Sequence, residues 1–395
     1  MTIPVVFAAN DNFAAYMGVA IRSLIMHCST ENQYMIYILY SSLSHENRGL
    51  LLSMKQENVS IECIDINNYI DEMNKFKTTQ YLSKETYFRL VIPDIFNQYE
   101  KILYLDSDIA IKEDIGNFYC INIGTNALGA VSDIQTKWLE LYYKDNFNLT
   151  LEGAFNAGIL IINLTEFKKR KIKEKCLELI RNNKVCYYLD QDALNQVCRN
   201  DVVYIEGKWN FPPRYLDYSW EQELLPEYRD RYKKNAENVS IIHYAGTEKP
   251  WDNPQIPMGS YFWEIAEQSP FYEKLKMRLK QILDEKKGQV PLCNIQEKSE
   301  IILYGAGRKG IELWNLIKST DYCNVILWVD KYVEKIEDKN LKIHSVSETF
   351  NKKYDQLVIA IENKKIAEEA KRELICMGVA EAKIAWAYKS EKVQE

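Results

Sequence analysis

Nothing in this 395-residue chain is long and apolar enough to be expected to cross a bilayer, which takes about 20 apolar residues as a helix. The opening MTIPVVFAANDN lacks a basic leader and turns polar by Asn10, so it is not expected to act as a secretion signal. No CxxC pair occurs, and the nine cysteines are scattered and odd in number, so no zinc site or disulfide framework is expected. Reduced thiols fit a cytoplasmic location, and the Asn-x-Ser/Thr triplets at Asn58, Asn148 and Asn238 then carry no meaning. An excess of basic charge is missing too. The net charge of −6 argues against nucleic acid as the main partner and leaves peripheral membrane contact open. Internal repeats and low-complexity segments are absent. What is present is apolar: 47% hydrophobic and 12% aromatic residues allow a sizeable core, and the length fits two domains or one domain with an appendage.

The organising stretch is residues 101–114, KILYLDSDIAIKED. Four apolar residues, Ile102 to Leu105, read as a buried, parallel strand that ends in Asp106-Ser107-Asp108. Two carboxylates there are costly to hold together without a cation or a proton. Ligands collect beyond the carboxyl ends of strands in open α/β sheets, and Asp-x-Asp presents hard oxygens suited to Mg²⁺ or Mn²⁺. A turn in which Asp106 caps the next segment is the plain alternative.

Other segments repeat the pattern. Residues 3–9 read as a strand leading through Asn10-Asp11-Asn12 into a helix over 14–26. Residues 34–40 and 59–65 read as further strands. Residues 83–92 read as a helix carrying Arg89 and stopped by Pro93, and 127–131 as a strand with Asp133 past its end. The run 154–164 is a strand begun through Asn156-Ala157-Gly158, where the glycine marks a close ligand approach or a β-bulge. Asp190-Gln191-Asp192 opens a helix over 193–198, with Asp190 a candidate N-cap. Residues 240–251 give a strand and then a loop holding His243, Gly246 and Lys249. Two carboxylates and a distant imidazole make a three-ligand set for a divalent ion, and the His favours Mn²⁺ over Mg²⁺. Lys249 adds a positive charge for a phosphate.

Four segments, FAANDNFAAYMGVAIRSL from Phe7, YLDSD from Tyr104, FNAGILIINL from Phe155 with DQDALN from Asp190, and HYAGTEKPW from His243, occur in one order along the chain. In this, residues 1–285 resemble the family 8 retaining glycosyltransferases, bacterial galactosyl- and glucosyltransferases of the GT-A fold. The resemblance implies an α/β GT-A domain that moves galactose or glucose from a UDP-sugar to a glycan acceptor on a protein or lipid. It implies Asp106, Asp108 and His243 as ligands of Mn²⁺, with Mg²⁺ the other candidate. Ala8, Asn10, Asn12 and Phe13 would cradle uridine, with Ser107 alongside. Arg89, Asp133, Asn156, Ala157 and Asp190 would hold the sugar, and Gly246 and Lys249 would close over the diphosphate. Gln191 would lie under the anomeric carbon. Tyr81, Pro212 and Pro213 fall where an acceptor is expected. Two positions depart from the family pattern, Asn10 where relatives often carry Asp and Phe13 where they carry Tyr. Asn still meets the uracil edge, and Phe still stacks without the hydroxyl.

A neutral amide is a poor nucleophile, so Gln191 argues for attack by the acceptor on the face the leaving group departs from, with a diphosphate oxygen taking its proton. Asp190 is the nearby carboxylate alternative. Residues 286–299 read as a linker, and 300–395 as a smaller Rossmann-like α/β domain. In it Gly305-x-Gly307-x-x-Gly310 follows a strand and Asp330 ends the next. At half the size of a full dinucleotide fold, this domain is expected to engage the acceptor or act as scaffold. The competing classes are a nucleotide-sugar-binding protein without turnover and an NAD-dependent oxidoreductase.

Overall fold

A computed structural model describes residues 1–388 apart from 72, 74, 75, 77–83, 186, 288–291 and 336–341. Tyr81 thus lies outside the described residues. The chain divides into two compact units, Met1–Leu275 and Lys276–Glu395.

The first unit is built on strands β1 (Thr2–Ala8), β2 (Gln33–Tyr40), β3 (Val59–Asp65), β4 (Lys101–Leu105), β5 (Ile109–Ile111), β6 (Leu128–Ser132), β7 (Phe155–Asn163), β8 (Val202–Ile205) and β9 (Ile241–His243). Seven of them form one sheet in the order β3-β2-β1-β4-β7-β6-β8. The β3-β2-β1-β4 half is parallel, whereas β7 runs antiparallel to both of its neighbours. Ile102, Leu103, Tyr104 and Leu105 are all buried, because helices and loops cover both faces of a central strand. Each such side chain contributes roughly 1.5–3 kcal/mol of burial. Leu103→Ala would leave a cavity in this layer and cost about 2–5 kcal/mol.

Some local structure departs from the sequence pattern. Pro93 does not stop a helix over 83–92. Lys84–Val91 is a 3₁₀ segment, and Pro93 sits in the first turn of the short helix Ile92–Ile95, where its missing N–H has no partner to lose. Asp190 is not an N-cap either. The helix is Asp190–Cys198, and Leu189, at φ 51°, precedes it. Asn195 on this helix accepts from Phe155 N–H (2.8 Å) and donates to Phe155 C=O (2.9 Å), tying the helix to the start of β7. The register of β7 against β6 shifts between Ala130 and Ser132, so the bulge expected near Asn156-Ala157-Gly158 is present.

The second unit has a parallel sheet of β10 (Glu300–Tyr304), β11 (Asn324–Asp330), β12 (His344–Ser345), β13 (Gln356–Ile359) and β14 (Ile384–Trp386), in the order β12-β11-β10-β13-β14. This is the Rossmann-like order. Gly305 has φ 105°, and a Cβ on Gly310 would lie 2.0 Å from Gly305 O, so the turn needs glycine at both places. Asp330 accepts from the turn itself, through Ala306 N–H at 2.7 Å.

Candidate active site

The two-stranded pair β5·β9 explains how His243 reaches the Asp-x-Asp turn. β4 ends at Leu105, and Asp106 N–H donates to Gly158 O at 2.8 Å. The chain resumes as β5, where Ile109 pairs with His243, and Tyr244 N–H donates to Asp108 O at 2.9 Å. His243 is 3% exposed. Its Nε2 lies 3.3 Å from Asp108 Oδ1 and 3.9 Å from Asp106 Oδ2. One ligand atom from each of Asp106, Asp108 and His243 falls within 4.8 Å of the others. Gly158 makes room for this approach. A Cβ there would meet His243 Cε1 at 2.4 Å and Asp106 Oδ2 at 2.6 Å. Hard carboxylate oxygens and one imidazole fit a divalent ion of the Mg²⁺ or Mn²⁺ class.

Each carboxylate is held through its other oxygen, the arrangement that orients metal ligands. Asp106 Oδ1 accepts from Tyr104 OH at 2.7 Å and from Arg89 Nη2 at 3.1 Å. Asp108 Oδ2 accepts from Lys249 Nζ at 2.6 Å, and Lys249 also donates to Tyr244 O at 2.6 Å. Burial alone would raise the Asp108 pKa, but Lys249 and His243 outweigh it and hold the carboxyl well below the usual range.

Arg89 is buried and binds Ala157 O, Thr86 O and Asp106, with its guanidinium 4.4 Å above the Tyr104 ring. Its Nε also lies 2.9 Å from Asp190 Oδ2, but it donates to Thr86 O. Asp190 Oδ2 is left buried without a hydrogen bond, while Thr86 OH donates to Oδ1. Ion pairing and burial therefore pull Asp190 in opposite directions. Burial dominates, and Arg89 and Thr86 offset only part of it, so the carboxyl is pushed up to about 6.

Gln191 is fully engaged. Its Oε1 accepts from Ala157 N–H at 2.9 Å, and its Nε2 donates to Asp133 Oδ2 and Tyr143 OH, each at 3.0 Å. Tyr143 OH donates to the same Asp133 oxygen at 2.8 Å. Burial raises the Asp133 pKa despite that hydroxyl. Asn156 Oδ1 accepts from Gly158 N–H (3.0 Å) and from Asn210 Nδ2 (2.9 Å). Asn210 Oδ1 lies 2.8 Å from His243 Nδ1.

The N-terminal turn lies at the same sheet end. Ser107 OH donates to Ala8 O at 3.1 Å, and Asn10 Oδ1 accepts from Asn12 N–H at 3.0 Å. Phe13 is half-buried and meets Tyr16 edge-on at 5.7 Å, and Tyr16 stacks on Trp251 at 3.7 Å. That stack joins the FAANDNF and HYAGTEKPW segments. A cavity of about 240 Å³ opens beside Asp133, Asn156, Gln191, His243 and Gly246. Trp138, Tyr188, Tyr215 and Trp220 supply aromatic wall, and Pro212 lines it while Pro213 does not. Gly246, at φ 96°, is a position where a Cβ would lie 2.6 Å from Arg214 Nη1. Sequence reasoning missed Tyr104, Tyr143, Thr86 and Asn210. Tyr104 could have been found as the one polar tip in an apolar run, but Asn210 in KWNFPP carries no local signal.

The sequence model of Glycosyl transferase family 8 matches residues 4–254. Among curated relatives, the lipopolysaccharide 1,3-galactosyltransferase of Salmonella typhimurium (strain LT2) is 26% identical, over 68% of this chain and 78% of its own. Among solved structures, the galactosyltransferase LgtC in complex with donor and acceptor sugar analogues is 28% identical with a TM-score of 0.59, covering 71% of this chain and 100% of its own. The glycosyltransferase GlyE of Streptococcus pneumoniae TIGR4 covers 100% of this chain and 94% of its own at 19% identity and a TM-score of 0.51, a likeness of fold alone. The family match spans well over half of the chain and contains Asp106, Asp108, Gln191 and His243. The protein belongs to Glycosyl transferase family 8.

Proposed function

We propose that this protein transfers galactose or glucose from a UDP-sugar to a glycan acceptor, on a protein or lipid, with retention of configuration and dependence on Mn²⁺ or Mg²⁺. The observation that carries the reading is the convergence of Asp106 Oδ2, Asp108 Oδ1 and His243 Nε2 beside a cavity floored by Asp133, Asn156 and Gln191. Those three atoms would hold the ion, which when bound supplies positive charge against a diphosphate leaving group.

In this reading Ala8, Asn10, Asn12, Phe13 and Ser107 receive uridine, the Phe13 ring stacking on the base. Lys249 moves from Asp108 to the diphosphate and closes over it together with Gly246. Arg89 and Ala157 are already bonded to each other and shape the sugar pocket. Asp190 holds Arg89 from behind through the ion pair at 2.9 Å, and Asp133 and Asn156 supply polar edges to the cavity. Galactose is placed first because the Salmonella relative and LgtC are both galactosyltransferases by name.

At the reacting centre the bond from the anomeric carbon to the diphosphate oxygen breaks as the acceptor hydroxyl oxygen bonds to the same face. The acceptor's proton passes to the departing diphosphate oxygen, so no protein base is needed. Gln191 supports this route: its amide is spent on Ala157, Asp133 and Tyr143, which leaves it to brace the sugar rather than attack it. The acceptor enters past Pro212 and the aromatic wall, and residues 300–395 serve acceptor engagement. Calorimetry with UDP and GDP in Mn²⁺ tests the cradle. UDP is expected to bind at least about tenfold tighter, about 1.4 kcal/mol. Equal affinities would overturn the role given to residues 7–13.

A further inference from the structure

We propose that Asn210 and Asn156 are positioning residues that fix His243 as its Nδ1–H tautomer, so that Nε2 turns a bare lone pair toward Asp106 and Asp108. The proposal rests on the metal reading of those three residues. The relay starts at the backbone. Gly158 N–H can only donate, and it donates to the side chain of Asn156 at 3.0 Å, so the atom facing it is the amide oxygen. Asn210 approaches that same oxygen at 2.9 Å and must therefore present its NH₂ group. Its other end, an oxygen without a proton, then lies 2.8 Å from His243 Nδ1. The shared proton has to be on Nδ1. In the neutral ring this leaves Nε2 unprotonated, 3.3 Å from Asp108 Oδ1. A backbone donor on β7 thus sets the proton position of a histidine on β9 through two amides.

The relay runs along the wall of the cavity and is fixed by its backbone. Asn210 is 6% exposed and His243 3%. The two backbones are pinned together, with Phe211 N–H donating to Ile241 O at 3.0 Å and His243 N–H to Phe211 O at 2.8 Å. A flipped amide would set oxygen against oxygen, or NH₂ against N–H. Groups that hold the far nitrogen of a ligating imidazole in this way commonly govern metal affinity.

The test uses the full chain labelled with ¹⁵N-histidine. Only His27, His45, His243 and His344 contribute, and a His243→Gln variant identifies the signal. Long-range ¹H–¹⁵N spectra of the metal-free protein are expected to show protonated Nδ1 and bare Nε2 for His243. Asn210→Ala should let the Nε2–H tautomer appear and weaken Mn²⁺, read by electron paramagnetic resonance, about 10–100-fold. Asn156→Ala should give a smaller shift in the same direction. A bare Nδ1 with Nε2–H for His243 in the unmodified protein overturns the relay, whatever the variants do. Wild-type Mn²⁺ affinity in Asn210→Ala overturns its positioning role. If the unmodified protein shows Nδ1–H but binds no Mn²⁺, the metal reading beneath the proposal fails instead.

Discussion

Gly158→Ala is the smallest change that should dismantle the site. The new Cβ would lie 2.4 Å from His243 Cε1, 2.6 Å from Asp106 Oδ2 and 3.1 Å from Asn156 Oδ1. Ordinary contact begins near 3.4 Å, so the imidazole and the carboxylate would each have to retreat by about 1 Å. The strand cannot absorb the shift, because Gly158 O accepts from Asp106 N–H and Gly158 N–H feeds Asn156. Overpacking of this kind costs about 1–3 kcal/mol. It also moves two ligand atoms at once. An ion present at 100 times its Kd stabilises the native protein by about 2.7 kcal/mol, and a 100-fold loss of affinity cuts that to about 0.4 kcal/mol. Thermal unfolding with EDTA and with Mn²⁺ separates the two effects. The variant should melt lower in EDTA and gain almost nothing from Mn²⁺. A variant that melts with the unmodified protein and gains the same increment refutes the steric reasoning.

Other consequences are independent of that one. The Asp190 carboxyl is pushed up from an ordinary 3.8 to about 6 by burial and by Asp106, against the opposing pull of Arg89 and Thr86. The folded state therefore keeps a proton that the unfolded chain releases between about pH 4 and 6. Stability should fall as pH rises through that window, by up to about 3 kcal/mol. Asp190→Asn should flatten this part of the profile in denaturant titrations of the metal-free protein, and identical profiles would show that the carboxyl is not desolvated. Gln191→Ala should slow transfer without abolishing it, and the product should stay α-linked by NMR. Complete loss with trapped sugar on Asp190 would instead favour a covalent route. Ending the chain near Lys287 should spare UDP-sugar hydrolysis while transfer to the natural acceptor falls. Unchanged transfer would remove the acceptor role given to the second unit.

The parts of the fold that could be read in the sequence were those fixed by local pattern. The apolar runs of β1, β4, β7 and β10 are central strands buried on both faces, and a run of this kind has few other structures open to it. The glycines of the turn after β10 and its Rossmann-like setting were legible for the same reason. Pro93 misled because a proline at the start of a helix and one past its end look alike in a single sequence. Asp106, Asp108 and His243 were expected as a set through resemblance, but the means of assembling them was not visible. The three-residue strands β5 and β9 are too short to announce themselves, and their pairing spans more than 130 residues of chain. Gly158 was marked by its place beside Asn156 at the start of a strand, but that it makes room for His243 was not, and Asn210 acts through contacts that nothing beside it in the chain marks.

UDP release from a panel of nucleotide sugars, with Mn²⁺ or with EDTA, tests the central claim most directly. The expected result is release from UDP-galactose or UDP-glucose that requires the ion, rises when acceptor is added and disappears in Asp108→Asn. Release that persists in EDTA and in Asp108→Asn, or that proceeds equally well from GDP-sugars, would contradict it.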